Sequence, residues 1–155
     1  MDIGLENKET AAVAKALNQY LADLRTLHAK VQNYHWNLIG ASFFTLHEKY
    51  EEFYDFLAEQ IDEVAERVLS LGQRPLASLK DFLATTKVAE APSTPINGPD
   101  SAKSVLADFE YIIKLLRESI EVAEDNSDPG TADMLTASIE TYEKNSWMLR
   151  AYLAQ

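Results

Sequence analysis

HWNLIGASFFTLHEKYEEFYDFLAEQIDEVAE, residues 35–66, holds two of the chain's three histidines and a carboxylate pair at positions 62 and 66. From Phe43 to Leu71 there is no Gly or Pro, and aliphatic and aromatic side chains recur every three or four residues until Gly72 supplies a stop. The pattern predicts one long helix. Leu46, Tyr50, Phe53, Leu57, Ile61, Val64, Val68 and Leu71 form a stripe spaced for the core of a helical bundle. About 100° round the same helix runs a second stripe of His47, Glu51, Tyr54, Ala58, Asp62, Ala65 and Leu69, with Glu66 one position on.

A helix with two such stripes can bury one in its own bundle and the other against a second chain. His47 and Asp62 are fifteen residues apart, so on a continuous helix they stand ~22 Å apart along the axis and cannot hold one ion within one subunit. An antiparallel pairing of the helix with its copy about a two-fold axis brings His47 of one chain toward Asp62 and Glu66 of the other, and symmetry makes two identical sites. Asp62 and Glu66, at i and i+4, project together. The short Asn37–Ser42 turn can bring His35 round to His47. Two imidazoles with two carboxylates suit Fe(II), with Zn or Mn as competitors.

At these residues the sequence closely resembles the Dps family, the small ferritin-like proteins of starved or oxidatively stressed bacteria. The family pattern stands here as His35-Trp36-Asn37, Gly40, Leu46-His47-Glu48, Asp62 to Arg67, and Leu71-Gly72 with Pro75. The resemblance covers nearly the whole chain, and the ordered set of motifs is far more specific than any one of them. The resemblance implies inter-subunit ferroxidase ligands at His35, His47, Asp62 and Glu66. A further acidic position four after the second histidine, often Asp in the family, is Glu51 here. The resemblance also implies a hollow dodecamer built from two-fold dimers. Its expected chemistry is to oxidise Fe(II), with hydrogen peroxide preferred over oxygen, and to store ferric mineral inside. Trp36, next to a ligand position, would intercept stray oxidising equivalents or simply pack. Asp133 matches an acidic pore position of the family, with Asp125, Asp128 and Glu143 as further pore candidates. The reading of Asp133 that needs no pore is a first-turn acid favoured by the helix dipole.

Length and composition bound these expectations. A chain of 155 residues with a hydrophobic fraction of 46% fits one domain, residues 1–155, with a real core. With no Cys, any metal must use His, Asp, Glu or backbone oxygen. Neither a signal-like start nor a membrane-length apolar run is present, so a soluble, cytoplasmic protein is expected. Lys and Arg total 14 against 25 Asp and Glu, a formal charge of −11. Such a surface repels phosphates and draws cations, which argues against direct DNA binding.

The rest of the chain predicts the remaining helices. Val13, Leu17, Tyr20, Leu24, Leu27, Val31 and Tyr34 mark a first helix from about Asn7 to His35. His28 lies on its His35 face but ~10.5 Å away along the axis, too far to share a metal, and reads as a structural histidine. Ser42 is placed to cap the second helix. Pro75, Pro92, Pro95, Gly98 and Pro99 punctuate a long connection with one short helix within Leu76–Leu83. Pro99 and Asp100 open a third helix, Glu124–Gly130 turns the chain, and a fourth runs from about Thr131 to Leu153 with Leu135, Ile139, Tyr142, Met148, Leu149 and Tyr152 inward. Four helices with one long crossover between the second and third make an all-α ferritin-like bundle.

Three competing readings are weaker. An ordinary ferritin builds its di-iron site inside one bundle from Glu-x-x-His motifs, but the residues three before His28, His35 and His47 are Arg25, Gln32 and Phe44. A DNA-packaging protein would be expected to carry Lys/Arg-rich tails, whereas Met1–Glu9 has one Lys and three acids and the chain closes on Ala-Tyr-Leu-Ala-Gln. An assembly protein without chemistry would not need all four ligand positions filled. One structural alternative is that Lys30 or Arg67 neutralises Asp62 and Glu66 across an interface.

Overall fold

The computed structural model describes residues 3–154; Met1, Asp2 and Gln155, on which part of the terminal reading rests, lie outside the described residues. Five helices follow in order: α1 Asn7–Asn37, α2 Phe43–Ser70, α3 Leu79–Thr85, α4 Gly98–Asp125 and α5 Pro129–Leu153. α1 packs along α2 and α4 along α5, α1 faces α4, and the short α3 lies against α1. This is the expected all-α bundle with a helix in the crossover. Among the described residues, no helix is long and apolar enough to cross a membrane.

The core follows the predicted stripes. Leu17, Tyr20, Leu24, Leu27 and Val31 of α1 meet Leu46, Tyr50, Phe53, Leu57, Val64 and Val68 of α2, and Val105, Phe109, Ile112 and Leu116 of α4 meet Leu135, Ile139 and Tyr142 of α5. Phe109 sits edge-on to both Phe53 and Tyr142, centroids 5.1 and 5.4 Å apart, joining the helix pairs through aromatic packing. Ile61 is only half-buried, and Met148, expected inward, is 37% exposed. The 3.6-residue period carries Met148 off the line of Tyr142 and Leu149, toward solvent.

Helix boundaries show where tertiary contacts override local signals. Ser42 occupies the N-cap of α2, yet its hydroxyl caps nothing and instead bonds the Tyr152 hydroxyl at 2.8 Å. The crossover helix, expected within Leu76–Leu83, runs Leu79–Thr85, capped by Ser78, whose side chain accepts from the Asp81 N–H. α4 starts at Gly98 because Asn97 caps it by accepting from the Asp100 N–H. A two-residue parallel ladder pairs Leu38 with Ile96 and Ile39 with Asn97, tying the turn after His35 to the start of α4. No pattern in the sequence announced it, since two residues carry no alternation.

Two residues past the end of α4 and one past its C-cap Asn126 stands Ser127, a non-glycine residue at φ 59°, with the Ser127 N–H bonded to the Glu124 carbonyl and the Asp128 N–H to that of Ala123. This left-handed closing residue is the position glycine fills at low cost. Ser127→Gly is expected to stabilise the fold by about 0.5–1 kcal/mol, read as a rise in thermal midpoint; an unchanged or lower midpoint would show that the Ser127 side chain compensates its backbone.

Candidate metal centre

The end of α1 and the start of α2 are held together by a reciprocal pair of hydrogen bonds. His35 Nδ1 lies 2.7 Å from the His47 carbonyl oxygen, and His47 Nδ1 lies 2.8 Å from the His35 carbonyl oxygen. A carbonyl only accepts, so each Nδ1 carries the proton and each imidazole, when neutral, keeps its lone pair on Nε2. Among the described residues neither Nε2 takes a hydrogen bond. The two rings stack at 3.7 Å and 15°, and Phe43 stacks on His47 from the other side at 4.9 Å. The result is two imidazoles locked in one tautomer and one orientation, the arrangement that backbone carbonyls commonly impose on metal-binding histidines.

The turn between them is anchored from outside. Gly40, at φ 99°, reverses the chain. The Tyr34 hydroxyl donates to Ser104 Oγ at 2.9 Å, tying the end of α1 to α4. Ser101 Oγ donates to the Gly98 carbonyl, so its 2.7 Å bond with the Tyr50 hydroxyl is donated by Tyr50 and ties α2 to the same helix. Tyr54 stands edge-on to His35 at 5.3 Å and to His28 at 5.9 Å. Burial lowers the His28 pKa from its ordinary value; Arg25 adds to the effect and Asp55 opposes it. His28 is thus a half-buried structural histidine under Tyr54, well apart from the stacked pair.

Asp62 and Glu66 lie on the same flank of α2, four turns further on, and both are exposed. Among the described residues no three His, Asp or Glu side chains converge on one point. The histidine pair and the two acids thus stand at opposite ends of one helical flank. The flank is open: between His47 and Glu66, Glu51 and Ala58 are exposed and Tyr54 and Ala65 half-buried, and beyond Glu66, Leu69 is 48% exposed. The two cations that might have neutralised the acids are committed inside the chain. Lys30 pairs with Asp108 at 2.7 Å, and Arg67 donates to Asp128 at 2.6 Å and to Thr131 Oγ1 at 2.8 Å. Burial raises the Asp108 pKa against the opposing Lys30 ammonium, as a carboxyl withdrawn from water requires.

Asp128 was expected at a pore, and the structure places it elsewhere. It is 2% exposed, it caps α5 by accepting from the Thr131 N–H, and it pairs with Arg67. A carboxylate so enclosed within its own subunit does not line an opening. Glu143 is exposed but engaged by Arg117. Asp125 and Asp133 are exposed and carry no ion pair. Trp36 is 67% exposed and lies outside the hydrophobic core.

The ferritin-like domain family model matches residues 14–155. A relative from Bacillus anthracis named DNA protection during starvation protein 2 is 38% identical over 143 residues, 92% of this chain and 97% of its own length. A relative from Brevibacillus brevis named DNA protection during starvation protein is 42% identical over 145 residues, 91% of this chain and 94% of its own. The chain belongs to the Dps family. The solved Dps structure from Vibrio cholerae, described as a member of a broad superfamily of ferritin-like diiron-carboxylate proteins, superposes with a TM-score of 0.94 at 36% identity, covering 97% of this chain and 94% of that one. Membership in Dps accounts for the bundle and its crossover.

Proposed function

We propose that this protein protects the cell by oxidising and storing iron. Two subunits pair antiparallel through α2, and each of two equivalent sites takes Fe(II) between His35 and His47 of one chain and Asp62 and Glu66 of the partner subunit. Glu51 stands beside the histidines as a further oxygen ligand for a second iron. The observation that carries this reading is the locked histidine pair, neither Nε2 of which takes a hydrogen bond among the described residues, on the helix flank that also carries the exposed Asp62 and Glu66. Six such dimers closing into a hollow dodecamer would give the ferric product an enclosed volume, as the family resemblance implies.

The chemistry suits the donors. Each Fe(II) gives one electron, and two irons reduce hydrogen peroxide to two waters with uptake of two protons, so no hydroxyl radical is set free. Carboxylate oxygen then favours the harder Fe(III) product over the ion that entered. The test is anaerobic loading with Fe(II), addition of peroxide, and measurement of particle size and hydroxyl-radical yield together. A dodecamer-sized particle that consumes two Fe(II) per peroxide with few radicals supports the reading; a monomer or dimer that leaves Fe(II) to react as the free ion does would defeat it.

A closed shell also needs an entrance for cations, and three-fold axes present each acidic residue three times. Asp133, exposed and unpaired in the first turns of α5, is the residue we assign to that entrance. Asp133→Asn is expected to slow iron uptake a few-fold, most at low ionic strength where acidic steering is least screened, with metal affinity at equilibrium unchanged. Wild-type uptake at low salt would leave Asp133 as a helix-terminal acid. At a formal charge of −11, DNA packaging is not the main role we assign. No mobility shift of duplex DNA is expected near neutral pH and physiological salt without added divalent cation.

A further inference from the structure

We propose that Tyr152 is a positioning residue for the iron site, acting on His47 through the hydroxyl of Ser42; this rests on the reading of His35 and His47 as iron ligands. Tyr152 lies in the last turn of α5, and its hydroxyl bonds Ser42 Oγ at 2.8 Å across 110 residues of sequence. Ser42 is the residue from which α2 starts. Its carbonyl accepts the Leu46 N–H at 3.0 Å, which closes the first turn, and His47 follows directly. Its own side chain makes no capping bond. The first turn of α2 is therefore held from outside, by Tyr152, instead of by its own cap.

The backbone around the contact is shaped to admit that phenol. A Cβ added to Gly98 would stand 2.5 Å from the Tyr152 hydroxyl, 3.0 Å from Ser42 Cβ and 3.1 Å from a Leu46 methyl. Only glycine lets the start of α4 approach where α5 reaches the start of α2. Gly98 directly follows Asn97, whose partner in the two-residue ladder is Ile39 in the histidine turn. The segment from Leu38 to Ser42 is thus gripped on one side by the ladder and on the other by Tyr152. A shift of Ser42 is passed through the first turn to the His47 backbone, whose carbonyl holds His35 Nδ1. One loosened hydroxyl contact then misaligns both imidazoles, because each ring is oriented by the other residue's backbone.

The test uses Zn(II), a redox-silent probe, titrated against a chelator into the assembled protein. Y152F is expected to weaken Zn(II) binding roughly three- to tenfold, at or below the lower end of what loss of an outer-shell partner commonly costs, with particle size and thermal midpoint near wild type. S42A is expected to give a similar loss, and the double variant no more than either alone, since both remove one contact. G98A keeps both hydroxyls but pushes Tyr152 away, and should reproduce the loss. Wild-type Zn(II) affinity in Y152F, or losses in Y152F and S42A that add, would overturn the positioning role while leaving the site intact. Zn(II) binding that H47A does not diminish would overturn the site itself, and the role of Tyr152 with it.

Discussion

Replacing Asp62 and Glu66 together with Ala slows peroxide-driven Fe(II) oxidation at least about a hundredfold, the scale on which losing even outer partners of a metal already tells, while the shell keeps its size. Both halves of that expectation come from the geometry. In the isolated chain Asp62 and Glu66 are exposed and take part in no ion pair among the described residues, so neither fold nor core depends on them. Surface changes of this kind shift stability by no more than about 0.5 kcal/mol. The metal loses far more. With both carboxylates gone the two imidazoles and the single carboxylate of Glu51 remain, a poor set for holding two Fe(II) and a worse one for Fe(III), which demands anionic oxygen. Stopped-flow absorbance of ferric product, with light scattering on the same sample, measures both outcomes. Oxidation at the wild-type rate in an intact shell would remove these acids from the site, and loss of the shell would make them assembly residues instead.

The helices were legible because their information is local and repeated. Leu46, Tyr50, Phe53 and Leu57 recur on one face, and each extra turn strengthens the same inference. Asp62 and Glu66 were likewise readable as a pair, since i and i+4 fixes their relation without any knowledge of the fold. Contacts made once, across the bundle, left no such trace. Ser42 has the composition of a cap, but the Tyr152 hydroxyl competes for it from 110 positions away. Asp128 reads as one acid among several in a polar turn, and only the approach of Arg67 from α2 shows it to be enclosed. The histidine pair lies between these cases. That a short turn returns His47 to His35 was foreseeable from Gly40, but the exchange of Nδ1 bonds with the two backbone carbonyls, which decides the tautomer, was not.

Mixing two inactive chains should restore activity. A chain with His35 and His47 replaced by Ala keeps its acids, and a chain with Asp62 and Glu66 replaced by Ala keeps its histidines; alone, each builds only broken sites. In a dimer of one with the other, the first site receives neither histidines nor acids, and the second receives the histidines of one chain and the acids of its partner. One site of two is whole. Random pairing at equal amounts makes half the dimers mixed, so about a quarter of all sites recover in a two-fold symmetric assembly. The alternative, all four ligands drawn from one subunit, predicts no recovery in any mixture, because no chain carries the full set. The helix already weighs against it: fifteen residues of α2 separate His47 from Asp62 without a break, and a rise of ~1.5 Å per residue leaves no path by which they meet. Coexpression of the two chains under different affinity tags, isolation of mixed assemblies and measurement of initial Fe(II) oxidation rates separates the cases. Mixed assemblies as inactive as their parents would rule out a site shared between chains.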